Sequence, residues 1–410
     1  MKSDRKLLLL LSGAFVLDHM DRHILSITLD QIGREFALSD LQLGALSGLA
    51  FAVVFTLLGF PVALITRPGR RKAIAVGALA AWSAMTVAMA AAGSYAHLLA
   101  ARMGVAVGEA GYTPAAHSMV ADQFPENRRA GAFAVFSAGS NIGLFLAFLV
   151  GGVVAASYDW RAAFLVAGAP GLLLAIALCF ALREPPAPPN AAPAIDAPSF
   201  RQVWRMLTSE ASAALALAGA VLTATVNYGG IVWTATFLIR DHGLRVDQAG
   251  LFLAVVAGLC GGVMTFLSGH LADRLGARDP SWRLRLVGLA LLFAKCLAII
   301  AYSLSDTAAA LAILAIPAML GGVYLGPTFA HIYSRITAAA RPRATAIIIF
   351  LLNLVGLGLG PLIVGAVSTM TASDETGAGD LALGLILVQC VGVVGALLFL
   401  RAARCLARET

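Results

Sequence analysis

The chain has 410 residues, 60% of them hydrophobic and only 12% charged, with a mean hydropathy of +0.86. Soluble domains carry about 25% charged residues, so the composition excludes a large soluble core and implies an integral membrane protein. The formal charge of +7 does not point to nucleic acid, because the basic residues sit in short loops between apolar runs, where they set orientation.

The start, MKSDRKLLLLLSGAFVL, has the basic and apolar regions of a signal peptide, but no small-x-small cleavage site closes the apolar run. It reads as the first of twelve spans, near 7–29, 43–65, 73–93, 98–120, 131–156 and 162–182, then 211–238, 248–272, 284–304, 308–333, 343–370 and 380–401. Each can supply the ~20 residues that a crossing helix needs. With the N-terminus inside, 22 Lys and Arg fall in inner segments and 4 in outer loops (Arg34, Arg161, Arg240, Arg245), while Arg22, Arg102 and Lys295 lie within spans. Both termini are therefore expected to be cytoplasmic. The compact loops point to a plasma or inner membrane.

The first span contains LDHMDRHIL, Leu17 to Leu25. A charge near mid-bilayer costs at least ~2.5–3.5 kcal/mol, so such groups are normally paired and functional. Asp18, Asp21, Arg22 and Leu25 share an arc of roughly 100° on one helix face, which must look into a bundle or a watery cavity. His19 and His23, four apart, have the spacing of a helical metal pair. HMDRH lacks the glutamate of HExxH and no third ligand is apparent, so no metal is expected.

In span 4, Arg102 and Glu109 share a face but stand ~10.5 Å apart along the axis, too far to satisfy each other. Thr113 lies on the same face. Their natural partners are Asp18, Asp21 and Arg22. Two readings stay open: a switchable ion-pair network, or a static one holding spans 1 and 4 together. Three acids against two arginines leave one negative charge, which one proton would neutralise.

The midpoint, REPPAPPNAAPAIDAP (Arg183 to Pro198), reads as an extended linker. SFRQVWRML, Ser199 to Leu207, reads as an amphipathic helix lying in the interface. The expected division is a six-helix bundle over 1–182, a cytoplasmic linker with this helix over 183–210, and a second six-helix bundle over 211–410. Such internal repetition suits a transporter with a site at midplane. In the second half Lys295 is a second intramembrane cation, either meeting an anionic substrate or snorkelling to an interface. Asn227 and Tyr228 in span 7 and Tyr324 in span 10 pair polar side chains with Gly and Pro, as cavity linings or gates do. His331 and Asn353 read as helix–helix hydrogen bonds or cavity lining. The five cysteines, Cys179, Cys260, Cys296, Cys390 and Cys405, are scattered without a CxxC and support neither a disulfide framework nor a zinc site.

Two motifs carry a family resemblance. GHLADRLGAR (Gly269 to Arg278), with a degenerate first copy PVALITRPGRRK, resembles the inner-loop signature of the major facilitator superfamily. That resemblance implies that Gly269 permits close helix approach and that Asp273 and Arg274 latch neighbouring helix ends. The first copy has Thr66 or Arg67 where the acid would stand. More specifically, RMGVAVGEAGYTPAAHSMVADQFPENRR, Arg102 to Arg129, with Asp21–Arg22, resembles the Spinster branch, whose first-span pattern near LNYxDR is LDHMDR here. The resemblance implies an all-α membrane fold of two pseudo-symmetric six-helix bundles. It also implies a monomeric secondary transporter of an amphipathic, anionic lipid such as a sphingoid phosphate or lysophospholipid. On this reading Asp21, Glu109 and Asp18 serve proton coupling, and Arg22, Arg102 and Lys295 take the ion pairs and substrate headgroup. The coupling ion is a proton, and no cofactor or nucleotide motif is expected. The alternative is export of a small organic anion or drug, because arginines suit phosphate and carboxylate alike. A third class, an intramembrane enzyme or scaffold, lacks a nucleophile triad or phosphate loop.

Overall fold

The computed structural model describes residues 2–185, 198–372 and 379–409. Most of the Pro-rich linker expected over 183–198 lies outside them. The described chain is helical: α1 (Lys2–Glu35), α2 (Asp40–Gly44), α3 (Ala50–Ile65), α4 (Arg71–Ala90), α5 (Tyr95–Gln123), α6 (Glu126–Ser157), α7 (Trp160–Ala181), α8 (Phe200–Ser209), α9 (Ala211–Arg240), α10 (Val246–Leu253), α11 (Gly261–Gly276), α12 (Trp282–Tyr302), α13 (Thr307–Met319), α14 (Leu325–Ser334), α15 (Arg341–Leu351), α16 (Gly358–Met370) and α17 (Leu381–Glu409). π-Helical segments Ala45–Leu49, Ala254–Cys260 and Leu352–Leu357 join α2 to α3, α10 to α11 and α15 to α16. Three expected spans are thus continuous rods with a widened turn, a feature that frequently marks functional sites. Side-chain caps start several rods, with Ser94, Asp159, Ser199 and Asp306 each accepting from a backbone N–H three residues on, which satisfies donors that a helix start leaves free.

The packing divides the chain into two compact units. The first comprises 1–191 and 238–259, and the second 192–237 and 260–410. Residues Leu238–Leu259, the end of α9 with α10 and its π-helical segment, therefore pack with the N-terminal helices.

In the first unit, glycines let helices touch backbone to backbone, the usual way apolar helices associate in lipid. A side chain at Gly108 of α5 would meet the backbone N of Trp82, one at Gly143 of α6 the carbonyl of Val16, and one at Gly250 of α10 the carbonyl of Phe148. In the second unit, α12 packs on α17, and a core of Leu217, Leu284, Leu291, Ile348 and Phe399 gathers the helices around Val203 and Leu207 of α8. One rod is broken: α13 stops at Met319 and α14 resumes at Leu325. Pro317 and the Gly321–Gly322 pair explain the break, since both residue types are poor in helix interiors, and the break leaves the Gly321 carbonyl free to accept from a side chain.

Candidate functional site

Span 1 and span 4 meet as the sequence requires. Arg22 of α1 donates from Nε (3.1 Å) and Nη2 (2.5 Å) to Oε2 of Glu109 on α5. Its Nη2 also lies 3.5 Å from Asp18 Oδ2, one helical turn back, and His19 Nδ1 stands 3.0 Å from the same oxygen. Arg102 donates to the Arg22 carbonyl (3.3 Å) and lies 4.6 Å from the centroid of Phe51, while Arg22 lies 5.0 Å from that ring. The aromatic face offers the guanidinium groups a partner where water is scarce.

Asp21 does not pair with its neighbour Arg22. Consecutive helix residues diverge by about 100°, so Arg22 turns to Glu109 and Asp21 to α4. There Thr86 Oγ1 donates to Asp21 Oδ2 at 3.1 Å. The other oxygen, Oδ1, is buried without a hydrogen-bond partner, as are Oε1 of Glu109 and Nε and Nη1 of Arg102. Asp18, Asp21, Arg102 and Glu109 are all at most 2% exposed. The arrangement is asymmetric: one carboxylate holds an arginine, and another holds a hydroxyl. Thr113 lies one turn beyond Glu109 on α5, half-buried.

Two further ionic clusters frame this unit. At one end, Arg240 donates to Asp30 (2.7 Å) and to both oxygens of Asp40 (2.9 and 3.0 Å), and Arg34 adds a second pair to Asp30 at 2.9 Å. Nearby, Glu35 accepts from Trp160 Nε1 (2.6 Å) and Arg161 (2.7 Å). The Arg161 and Trp160 hydrogen bonds hold the Glu35 carboxyl below the ordinary carboxylate value. By sequence Arg240 and Arg161 are only outer-loop cations, and nothing in their spacing points to Asp30 or Glu35.

At the other end, buried Arg71 bonds Glu184 (2.9 Å), the Pro185 carbonyl (2.9 Å), Ser118 (3.2 Å) and Asp122. Gly69, at φ +87°, turns its backbone N–H toward Glu184 at 2.5 Å, a left-handed conformation that favours glycine. The acid missing from the first inner-loop motif at Thr66 or Arg67 is thus supplied by α5 and by the end of the sixth span. Burial pushes the Glu184 carboxyl up, but the Arg71 hydrogen bond and the N–H groups of Lys72 and Gly69 outweigh it and hold it below its ordinary value.

In the second unit, Lys295 of α12 is 4% exposed and donates to Asn227 Oδ1 at 2.9 Å. Asn227 in turn donates 2.5 Å to the Gly321 carbonyl at the broken helix. The ammonium is held inward by a neutral amide and does not snorkel. Tyr324 is buried in the core cluster, with Tyr228 packed against it. Asn353 sits buried in the third π-helical segment, and His331 bonds Ser212 at 3.0 Å. Asp273 and Arg274 are exposed and have no ion pair among the described residues. A side chain at Gly269 would meet nothing within 4 Å, so the close helix approach expected there is not made in this conformation.

The sequence profile described as "Major Facilitator Superfamily" matches residues 11–365. An "MFS-type efflux pump" of Mycolicibacterium smegmatis is 31% identical over 93% of this chain and 89% of its own. Protein spinster homolog 3 of Danio rerio is 27% identical over 94% of this chain and 82% of its own. The crystal structure of a bacterial homologue of the human lysosomal transporter Spinster, inward-facing and unoccupied, superposes with a TM-score of 0.89 at 27% identity, covering 99% of this chain and 98% of that one. With a buried ion cluster on its first and fourth spans, this multi-pass membrane protein belongs to the Major Facilitator Superfamily and is a Spinster-like secondary transporter.

Proposed function

We propose that this transporter moves an amphipathic, anionic lipid by alternating access, coupled to a proton, as a monomer in the cell membrane with both termini inside. The observation that carries the coupling is the unequal cluster on α1 and α5. Arg22 is committed to Glu109 and close to Asp18, whereas Asp21 has a hydroxyl donor and one oxygen with no partner. A buried carboxylate without a cation is costly, and a proton on Asp21 removes that charge without breaking the Arg22–Glu109 pair. Asp21 is therefore the first proton site, with Glu109 and Asp18 sharing the arginine side. Arg102, with Nε and Nη1 lacking a hydrogen-bond partner, is the cation on this side available to a phosphate headgroup. The similarity to spinster homologues supports the lipid class.

The test is flux into proteoliposomes, with lysophospholipids, sphingoid phosphates and small organic anions as cargo, with and without an imposed pH gradient. Gradient-driven lipid flux supports the proposal. Gradient-independent flux, or flux of small anions alone, rejects it. The second reading, export of a small organic anion or drug, is favoured by the similarity to the efflux pump; flux of those cargoes without lipid flux would establish it.

A further inference from the structure

Helix α8, expected to lie in the membrane interface, has no part in the proposed transport. Its start is fixed by a reciprocal cap between Ser199 and Gln202, and its inner side is fixed by Val203 and Leu207, both fully buried. Beside it lies an open apolar groove of about 320 Å³, lined by Trp204 and Thr208 of α8, Ala218, Val221 and Leu222 of α9, and Leu351 of α15. Leu222 lies about 16 Å along α9 from its first turn, so the groove runs lengthwise along α9 from the end beside α8. Asn227, the partner of Lys295, is nine residues beyond Ala218 and about 180° round the helix. The groove thus opens on the opposite side of α9 from the polar pair.

The charges match an anion at the groove's mouth. On α8, Arg201 lies about 20° from Thr208 and Arg205 about 60° from it, both on the side that continues the groove wall away from the buried face. Both arginines are exposed and neither makes an ion pair among the described residues. Arg343, by contrast, is engaged, donating to the Pro198 carbonyl at 2.6 Å and lying 5.8 Å from the Phe200 ring centroid. We propose that the groove beside α8 holds one acyl chain of an anionic phospholipid of the surrounding bilayer, with its headgroup on Arg201 and Arg205. Apolar depth takes the chain and the two guanidinium groups select the headgroup, so the site is a lipid-binding site separate from the transport path.

The experiment uses the purified full chain in detergent micelles, titrated with phosphatidylglycerol or phosphatidylcholine carrying the same brominated acyl chains. Quenching of Trp204 is isolated by subtracting the signal of Trp204→Phe. The expected result is quenching by phosphatidylglycerol at lower lipid content than by phosphatidylcholine, by about fivefold for each arginine. The Arg201→Gln/Arg205→Gln variant should lose the headgroup preference, and Ala218→Phe, which fills the groove, should lose quenching by both lipids, each with an unchanged elution profile and Tm. Equal quenching by the two headgroups, or quenching indifferent to Ala218→Phe, overturns the proposal. So does displacement of the brominated phosphatidylglycerol by a lysolipid at lower concentration than by unlabelled phosphatidylglycerol, which would make the groove part of the cargo route. Protection of Trp204 by self-association without lipid also overturns it.

Discussion

Arg22 and Glu109, 87 positions apart, meet through two nitrogens on a single carboxylate oxygen, leaving the second oxygen of Glu109 without a partner. Removing one member of a buried pair costs about 3–5 kcal/mol, because the other charge is left uncompensated. Arg22→Gln and Glu109→Gln should each lower Tm markedly in detergent, and the double variant should recover part of the loss. A double variant as unstable as the sum of the singles would show that the pair is not the coupled unit.

For Asp21 the expected split is kinetic. Asp21→Asn keeps an acceptor for Thr86 and removes the ionisable group, so it should retain exchange of cargo between the two sides of a vesicle while losing accumulation driven by a pH gradient. The Asp18→Asn/Asp21→Asn double variant should exceed either single if the two acids share the proton. Gradient-driven accumulation at the wild-type level in Asp21→Asn would move the proton site elsewhere.

The Arg71 cluster has a defined pH signature. Glu184 has a folded-state value depressed below the ordinary 4.5. Its contribution is therefore full above about 4.5 and lost as the pH falls through the lower folded value. As the pH falls from about 4.5 through that lower folded value, the Tm of the wild type should fall more than that of Glu184→Gln, which has already lost the carboxylate. Parallel curves would remove Glu184 as the acid-labile member. Gly69→Ala should also destabilise the cluster, by about 1–2 kcal/mol, because it forces a side chain into the left-handed region.

Arg240→Ala should cost about 3–5 kcal/mol, since it strips the shared guanidinium from Asp30 and Asp40. Arg240→Lys should recover only part of this, because a point charge cannot match the fork that reaches both acids. Thermal unfolding of the full chain measures both, and a lysine variant as stable as wild type would argue against the bidentate geometry.

The sequence made the helices legible because lipid demands long apolar runs with basic loops, a signal that survives without tertiary knowledge. It also made the span 1 and span 4 ionisable groups legible, since charges in such runs have few other uses. Partner choice was not legible. Whether Arg22 bonds Asp21 or Glu109 depends on helix rotation, and whether Arg71 finds an acid depends on Asp122 and Glu184 arriving from two other helices. The break at Leu320–Tyr324 had a local cue in Pro317 and the paired glycines, yet its bond to Asn227 could be known only once α9 lay beside it.

The union of 1–191 with 238–259 sets an order of events during synthesis. Asp40 is inserted 200 residues before the Arg240 that bonds it, and Asp30 is inserted 210 residues before. While the ribosome is still working through the connection and α9, the N-terminal helices are in the membrane without the guanidinium that joins these two acids and without the surface that α10 lays against α6. Their assembly must therefore be completed after insertion, by a segment belonging to the next part of the message. A chain halted near residue 191 would then be a poor copy of its own first unit.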